Sequence, residues 1–360
     1  MKEEDRNKEL FFIRRAANLL DSYAYDEGKA WKKVRQQSID RHRKFLNMSW
    51  LKYAAVFVAG MGVAWWGYRT QVKQAVPEIS QVTTIPLGSR QAELILATGR
   101  RVILDDSVRG REMVQEGMNV YVDSNETCLR YANNDSLVSS GLTGYNTLHV
   151  PKGGEYTLIL ADGSQVRLNS ESSLRFPVAF EKGKREVYLE GEAFFDVKPD
   201  EQSPFHVHAA GRDVCVLGTR FNVSAYQDEP FFQSTLVTGK VSVSGGNKEV
   251  ILRPSEQYTE NQQTGKSEVR QVDTQLYTSW LEGKIYFKGE RLEDIIKKLQ
   301  RWFDFEIFYA SEETKGMKFR GVINKYDSFD TVLKNLEQTT DIQFNIRNKT
   351  VIVRRIYNNN

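Results

Sequence analysis

Between about residue 80 and residue 272, apolar side chains recur at every second position in short runs, and no stretch shows a helical period. The run "EYTLILADGSQVRLN" is the clearest case. Tyr156, Leu158 and Leu160 fall on one side of an extended chain, Thr157 and Ile159 on the other, and Val166 and Leu168 resume the alternation. Asp162-Gly163 stands between the two arms, where a hairpin needs residues that tolerate positive φ. The run has an echo: "LILADGSQVRL" at Leu158–Leu168 follows "LILATGRRVIL" at Leu94–Leu104. The echo keeps the alternation and the glycine but puts Thr98 where Asp162 stands. A turn needs the glycine and an acid catalyst needs the carboxylate, so the repeat reads as scaffold and Asp162 as a turn former. Alternation continues through Val187 and Leu189, Phe205 and Val207, Val214 and Val216, and, after a turn at Gly218, Phe221 and Val223. Gly245-Gly246 marks another turn. Residues 70–272 are therefore expected to form an all-β unit of many short strands, with a solenoid-like coil among the forms open to it.

Tyr53 to Tyr68 carry no charged residue. With Leu51 the stretch reaches roughly the 17–25 residues that cross a bilayer. Trp50 and Tyr53 stand at one end and Trp65, Trp66 and Tyr68 at the other, as interfacial rings do. Before it come Lys32, Lys33, Arg35, Arg41, Arg43 and Lys44 against the single acid Asp40; after it the charges nearly balance. The excess of Lys and Arg belongs on the cytoplasmic side. A transmembrane helix over 50–69 is expected, with the N-terminus in the cytoplasm and the bulk of the chain outside. The basic run is explained by orientation and by anionic lipid. With a net charge of only +3, the chain gives no nucleic-acid signal.

Residues 1–49 are expected to form short cytoplasmic helices. Leu10, Ile13, Ala17 and Leu20 have helical spacing, and Trp31 and Val34 stand three apart. So short a piece buries little core. Leu10, Ile13, Leu20, Trp31 and Val34 are the candidate partner-binding residues of an amphipathic helix. A solvated membrane-proximal helix without a partner fits the same pattern equally well.

Signs of chemistry are few. His206 and His208 share one side of a strand, but no third histidine, Cys-x-x-Cys or suitably spaced acid completes a metal site. Glu192 and Asp196 flank Phe194-Phe195 without other hydrolase features. The two cysteines, Cys128 and Cys215, make neither a disulfide framework nor a zinc site and read as inert thiols. No phosphate loop, zinc-protease helix or nucleophile elbow occurs. No cofactor, metal or enzymatic activity is expected.

Residues 273–360 read as a repeated unit. "GKIYFKGERLEDIIKKLQRWFDFEIFY" is strand, helix, strand, with Leu292, Ile295, Ile296, Leu299 and Trp302–Phe303 on one helix stripe. "MKFRGVINKYDSFDTVLKNLEQTTDIQFNIRNKTVIV" repeats it with an extra strand, and Phe329, Val332, Leu333 and Leu336 form the second stripe. The expected result is a small α+β domain with helices on one face of a single sheet.

Several of these motifs, in this order, resemble a known family. "GGEYTLILADGSQVRLNSESSLRFP", "REVYLEGEAFFDV", "PFHVHAAGRDVCVLGTRFNVSAY" and "TLVTGKVSV" are similar to the FecR-type regulators of the Bacteroidetes kind. The terminal unit resembles their C-terminal domain, of the secretin/TonB short N-terminal fold. "KAWKKVRQQ…WLKYAAVFVAG" is similar to their juxtamembrane pattern. "LRPSEQ" departs from the family, which usually has Gly where Ser255 stands. The resemblance implies a single-pass inner-membrane anti-sigma regulator. Its partners would be an extracytoplasmic-function sigma factor inside and, in the periplasm, the N-terminal signalling domain of a TonB-dependent outer-membrane receptor. Regulated proteolysis would release the sigma factor. Residues 1–49 match only the end of the family's usual cytoplasmic module. Some members cleave themselves at a Gly-Thr bond in a motif like "VLGTRF", which here is Gly218–Thr219 with Thr219 as nucleophile. A plain strand turn is the favoured reading of that bond.

Overall fold

The structure, a computed structural model, describes residues 91–105, 112–115, 118–122, 128–131, 144–245 and 248–356. The expected membrane helix, the cytoplasmic helices and the candidates Leu10, Ile13, Leu20, Trp31 and Val34 lie outside the described residues. Among the described residues, no helix is long and apolar enough to cross a membrane.

Strands dominate, as the alternation requires. β1 (Ala92–Ile95) and β2 (Arg101–Leu104) form the first hairpin. β3 (Glu112–Gln115), β4 (Met118–Val122) and β5 (Cys128–Tyr131) form a meander. β6 (Tyr145–Val150) precedes the hairpin of β7 (Tyr156–Ile159) and β8 (Gln165–Leu168). β9 (Ser172–Pro177) leads into the long β10 (Arg185–Asp196). Four hairpins follow. They are β11 (Phe205–Ala209) with β12 (Arg212–Val216), and β13 (Arg220–Ala225) with β14 (Phe231–Thr238). Next come β15 (Val241–Gly245) with β16 (Lys248–Leu252), and β17 (Glu256–Asn261) with β18 (Ser267–Gln271).

These strands make two open layers and no closed barrel. One runs β2-β1-β6-β9-β10-β11-β12-β15-β16. The other runs β3-β4-β5-β7-β8-β10-β13-β14-β17-β18. Both contribute to one apolar core that includes Leu94, Leu148, Leu158, Val166, Phe195 and Phe221. β10 belongs to both layers. Its first half pairs with β9 and β11, and from Gly191 onward it pairs with β8 and β13. The strand turns at Gly191, whose φ is +89°; a Cβ there would stand 2.5 Å from Ser172 Oγ and 2.8 Å from the Glu171 carbonyl oxygen. Only glycine meets both demands.

The two echoing hairpins have one geometry. Leu160 N–H donates to Ser164 O at 2.9 Å and Gly163 N–H to Leu160 O at 2.9 Å, with Gly163 at φ +83°. Leu96 N–H donates to Arg100 O at 2.9 Å and Gly99 N–H to Leu96 O at 2.8 Å, with Gly99 at φ +81°. Each is a three-residue loop in which the glycine takes the left-handed position and the residue before it does not. Asp162 accepts hydrogen bonds from Ser164 N–H at 2.9 Å and Ser164 Oγ at 2.6 Å, which closes the turn. It also has a partner that the sequence pattern does not show. Arg185, 4% exposed, reaches Asp162 Oδ2 at 2.9 Å and gives its other donors to main-chain oxygens of Lys198, Ser203 and Asp200. Ser255 also takes a left-handed φ, +67°, which explains why glycine suits that position.

After β18, α1 (Gln275–Thr278) and a 3-10 turn (Ser279–Glu282) lead into an α+β body. It comprises β19 (Lys284–Arg291), α2 (Leu292–Trp302), β20 (Glu306–Tyr309), β21 (Lys318–Asn324), α3 (Phe329–Glu337), β22 (Ile342–Arg347) and β23 (Thr350–Arg355). Both helices bury the stripes read from the sequence. Glu293 and Asp294 favour the start of α2, and Ser328 caps α3 through Thr331 N–H. The expected single sheet is corrected to two. Among the described residues β19 pairs only with β21, while β20-β23-β22 form a separate sheet in which β20 and β23 are parallel. The extra strand of the second repeat, β23, is the one that lies beside β20. The body has its own apolar cluster, distinct from that of the sandwich.

Candidate functional site

Most residues singled out in the sequence occupy structural positions. Gly218–Thr219 links β12 to β13, and neither residue has a positive φ. Thr219 is 4% exposed; its hydroxyl donates to Lys240 O at 3.0 Å, and its carbonyl accepts from Val197 N–H at 3.0 Å. Glu192 and Asp196 do not act as a pair: Asp196 is exposed beside Arg220 at 3.4 Å, while Glu192 is half-buried and bonded to Asn169 and Asn222. Among the described residues neither Cys128 nor Cys215 forms a disulfide, and burial, with Asp213 and Glu249 adding to it, pushes Cys215 up.

The histidines have a neighbourhood that sequence spacing misses. Strand register sets His208 opposite Asp213 and His206 opposite Cys215. His206 Nδ1 lies 2.9 Å from Asp213, His208 Nδ1 lies 3.6 Å from it, and Cys215 Sγ lies 3.7 Å from His206 Nε2. Among the described residues, no group of three or more such side chains is arranged to hold a metal ion.

The concentration of buried polar chemistry lies elsewhere, where the α+β body meets the outer face of the second layer. That face is polar because alternation sends the apolar side chains of β10, β13, β14 and β17 inward. Outward stand Glu192, Asn222, Ser224, Gln233, Thr235 and Gln257. Asn222 Nδ2 and Asn169 Nδ2 donate to the two oxygens of Glu192 at 2.9 and 2.8 Å. Burial nevertheless dominates and raises the Glu192 carboxyl above its ordinary value. Across the contact, Trp280 Nε1 donates to Asn222 Oδ1 at 3.3 Å, and Arg167 of β8 donates to Leu281 O at 2.9 Å.

Two buried cations clamp this contact. Lys325, 2% exposed, lies 3.1 Å from Glu155 Oε2, and its ammonium stands 3.9 Å from the centre of the Trp302 ring. Tyr326 OH donates to Glu155 Oε1 at 2.8 Å. Burial lowers Lys325. Burial would raise Glu155, but Lys325 and Tyr326 outweigh it and hold the carboxyl below its ordinary value. Arg301 of α2 stands 3.5 Å over the ring of Tyr226 and pairs with Glu171 at 3.1 Å, Asp228 at 2.7 Å and Glu229 at 3.0 Å. Its carbonyl accepts from Gly153 N–H at 2.7 Å. Between the clamps lies a cavity of about 120 Å³, walled by Trp280, Trp302, Tyr286 and Tyr226 and floored by Glu192, Ser224 and Gln233. None of these clamp residues was legible as a site. Glu155 and Lys325 are 170 positions apart, and a lone charge beside an apolar stripe, as Arg301 is in α2, was the faint signal available.

Comparisons with known proteins bear on both halves. The family model described as FecR protein matches residues 146–242, and that described as FecR, C-terminal matches residues 284–353. Two crystal structures, at 1.65 and 2.50 Å, of a Parabacteroides distasonis protein provisionally assigned as an anti-sigma factor are similar to this chain. Each is 31% identical with a TM-score of 0.55; the matches cover 59% of this chain and 99% and 100% of those chains. No curated protein matches the chain.

Proposed function

Because the chain belongs to the FecR family of anti-sigma factors, we propose that it is a single-pass inner-membrane regulator of an extracytoplasmic-function sigma factor. In this reading residues 1–49 hold the sigma factor in the cytoplasm, residues 50–69 cross the membrane, and the sandwich and the α+β body stand in the periplasm. The signal comes from the N-terminal signalling domain of a TonB-dependent outer-membrane receptor, and regulated proteolysis releases the sigma factor. The protein works by binding and population shift, without small-molecule chemistry.

The polar clamp between body and sandwich is the observation that supports a relay. The two apolar clusters do not merge, and the contact between them rests on Lys325, Arg301 and a hydrogen-bonded sheet face. A contact of this kind is geometrically specific, and its charged and polar groups can be rehydrated when it opens, so a partner can shift it. The test is recovery of a sigma factor with the full chain. Recovering none supports the alternative, a membrane-anchored periplasmic binding or assembly module. The Gly218–Thr219 bond is proposed to stay intact, with the Thr219 hydroxyl committed to Lys240 O. A single full-length band in wild type and Thr219→Ala alike is expected; a fragment pair in wild type that Thr219→Ala abolishes would overturn this.

A further inference from the structure

The cavity between the clamps has walls of a particular chemistry. Trp280, Trp302 and Tyr286 supply flat apolar faces, and the sheet below supplies amides, hydroxyls and one carboxyl. Some of these polar groups are unused by the protein. The Ser224 hydroxyl and the Gln233 side-chain amide, cross-strand neighbours on β13 and β14, have no hydrogen-bond partner among the described residues. The Ser224 hydroxyl and the Gln233 amide therefore keep their hydrogen-bonding capacity for whatever occupies the cavity, water or a ligand.

Charge decides what that something is. Every cation lining the cavity is already neutralised: Lys284 by Glu282, Lys298 by Glu290, Lys325 by Glu155, and Arg301 by its three carboxylates. Glu192 is held by two asparagine amides and faces no free cation. The lining therefore offers no unmatched cation to an anionic ligand, and Glu192, pushed toward its neutral form by burial, presents a carboxyl among neutral amides. It offers aromatic faces for a C–H surface, and donors and acceptors for hydroxyls. The volume holds about eight to twelve water-sized groups, counting roughly one per 10–15 Å³, which is close to one six-membered ring with its substituents.

We propose that this cavity is a binding site for a neutral polyhydroxylated ring, a pyranose or a cyclic polyol. Ser224, Gln233 and Glu192 address its hydroxyls, and Trp280, Trp302 and Tyr286 cover its faces. The inference does not depend on which sigma factor or receptor the chain serves. Because the walls come from both the sandwich and the α+β body, a bound ring stabilises their contact, and binding registers as a rise in melting temperature.

The experiment titrates the purified full chain with glucose, galactose, N-acetylglucosamine and myo-inositol. Glucosamine and glucuronate serve as charged comparators. Calorimetry and thermal melting are the readouts. At least one neutral probe is expected to bind at or below roughly 10 mM, with both comparators about tenfold weaker. Gln233→Leu keeps the side-chain volume and removes donor and acceptor. It and Ser224→Ala should each weaken binding about tenfold, the value of one hydrogen bond, without lowering the ligand-free melting temperature. No binding by any neutral probe, equal binding of a charged comparator, or unchanged affinity in both folded variants would overturn the proposal.

Discussion

Replacing Lys325 by Met keeps most of the buried stem and removes the charge. At 3.1 Å and an effective dielectric near 20, the attraction between Lys325 and Glu155 is about 5 kcal/mol, and most of it offsets the desolvation of the two ions. The pair therefore adds little net stability, but half of it is worse than none. Glu155, 8% exposed at its side chain, loses the ammonium and keeps the Tyr326 hydroxyl, so its charge is less well compensated. It escapes by taking up a proton, and that escape caps the cost. The ordinary glutamate value is 4.5, so protonation at pH 7 costs 2.5 pH units at about 1.36 kcal/mol each, or about 3.4 kcal/mol. At pH 5 the same escape costs only about 0.7 kcal/mol. Wild type behaves oppositely. Its Glu155 is held below the ordinary value, so its contribution is present above pH 4.5 and lost as pH falls through the folded value. Lys325→Met should thus lose about 3 kcal/mol at pH 7, read from urea unfolding and from amide exchange in α2 and β21, and the deficit should shrink toward 1 kcal/mol at pH 5. Adding Glu155→Gln should restore most of the loss at pH 7. A deficit that does not change with pH, or a double variant as unstable as the single one, would refute this reasoning.

Three further outcomes follow from local geometry. Glu192 has a raised carboxyl, so the folded state binds its proton more tightly, and stability should fall as pH rises from 4.5 through the folded value; Glu192→Gln should flatten that part of the pH–stability curve. Ser255→Gly should raise stability by about 0.5–1 kcal/mol by relieving a left-handed φ, whereas Gly191→Ala should prevent folding of the sandwich, since its Cβ would collide with main chain; thermal melts compare the two. Asp162→Asn should cost about 2–4 kcal/mol in denaturant unfolding, well beyond a turn effect, because it strips buried Arg185 of its carboxylate.

What was legible in the sequence depended on how local its cause was. Period-two alternation placed Tyr156, Leu158, Leu160, Val166 and Leu168 in the core, and the helical stripes of α2 and α3 were read to the residue. The Gly99 and Gly163 turns were legible because a left-handed φ leaves a glycine behind. Long-range causes left no such trace. Nothing near Gly191 signals that one strand serves two layers, and nothing near β20 signals that β23 rather than a first-repeat strand lies beside it. The closeness of His206 to Asp213 and Cys215 is a matter of register. The Glu155–Lys325 clamp joins residues that only the folded chain brings together, so the candidate site was hidden while its scaffold was plain.

The central claim is that this chain holds a sigma factor through its first 49 residues. The direct measurement is co-purification of the full chain, extracted from membranes, with the co-expressed extracytoplasmic-function sigma factor. It is made for wild type and for a variant carrying Leu20→Asp and Trp31→Asp. Equimolar recovery with wild type and loss of at least about tenfold in the variant is the predicted result. Absence of any sigma factor from the wild-type complex, or equal recovery with the variant, would contradict it.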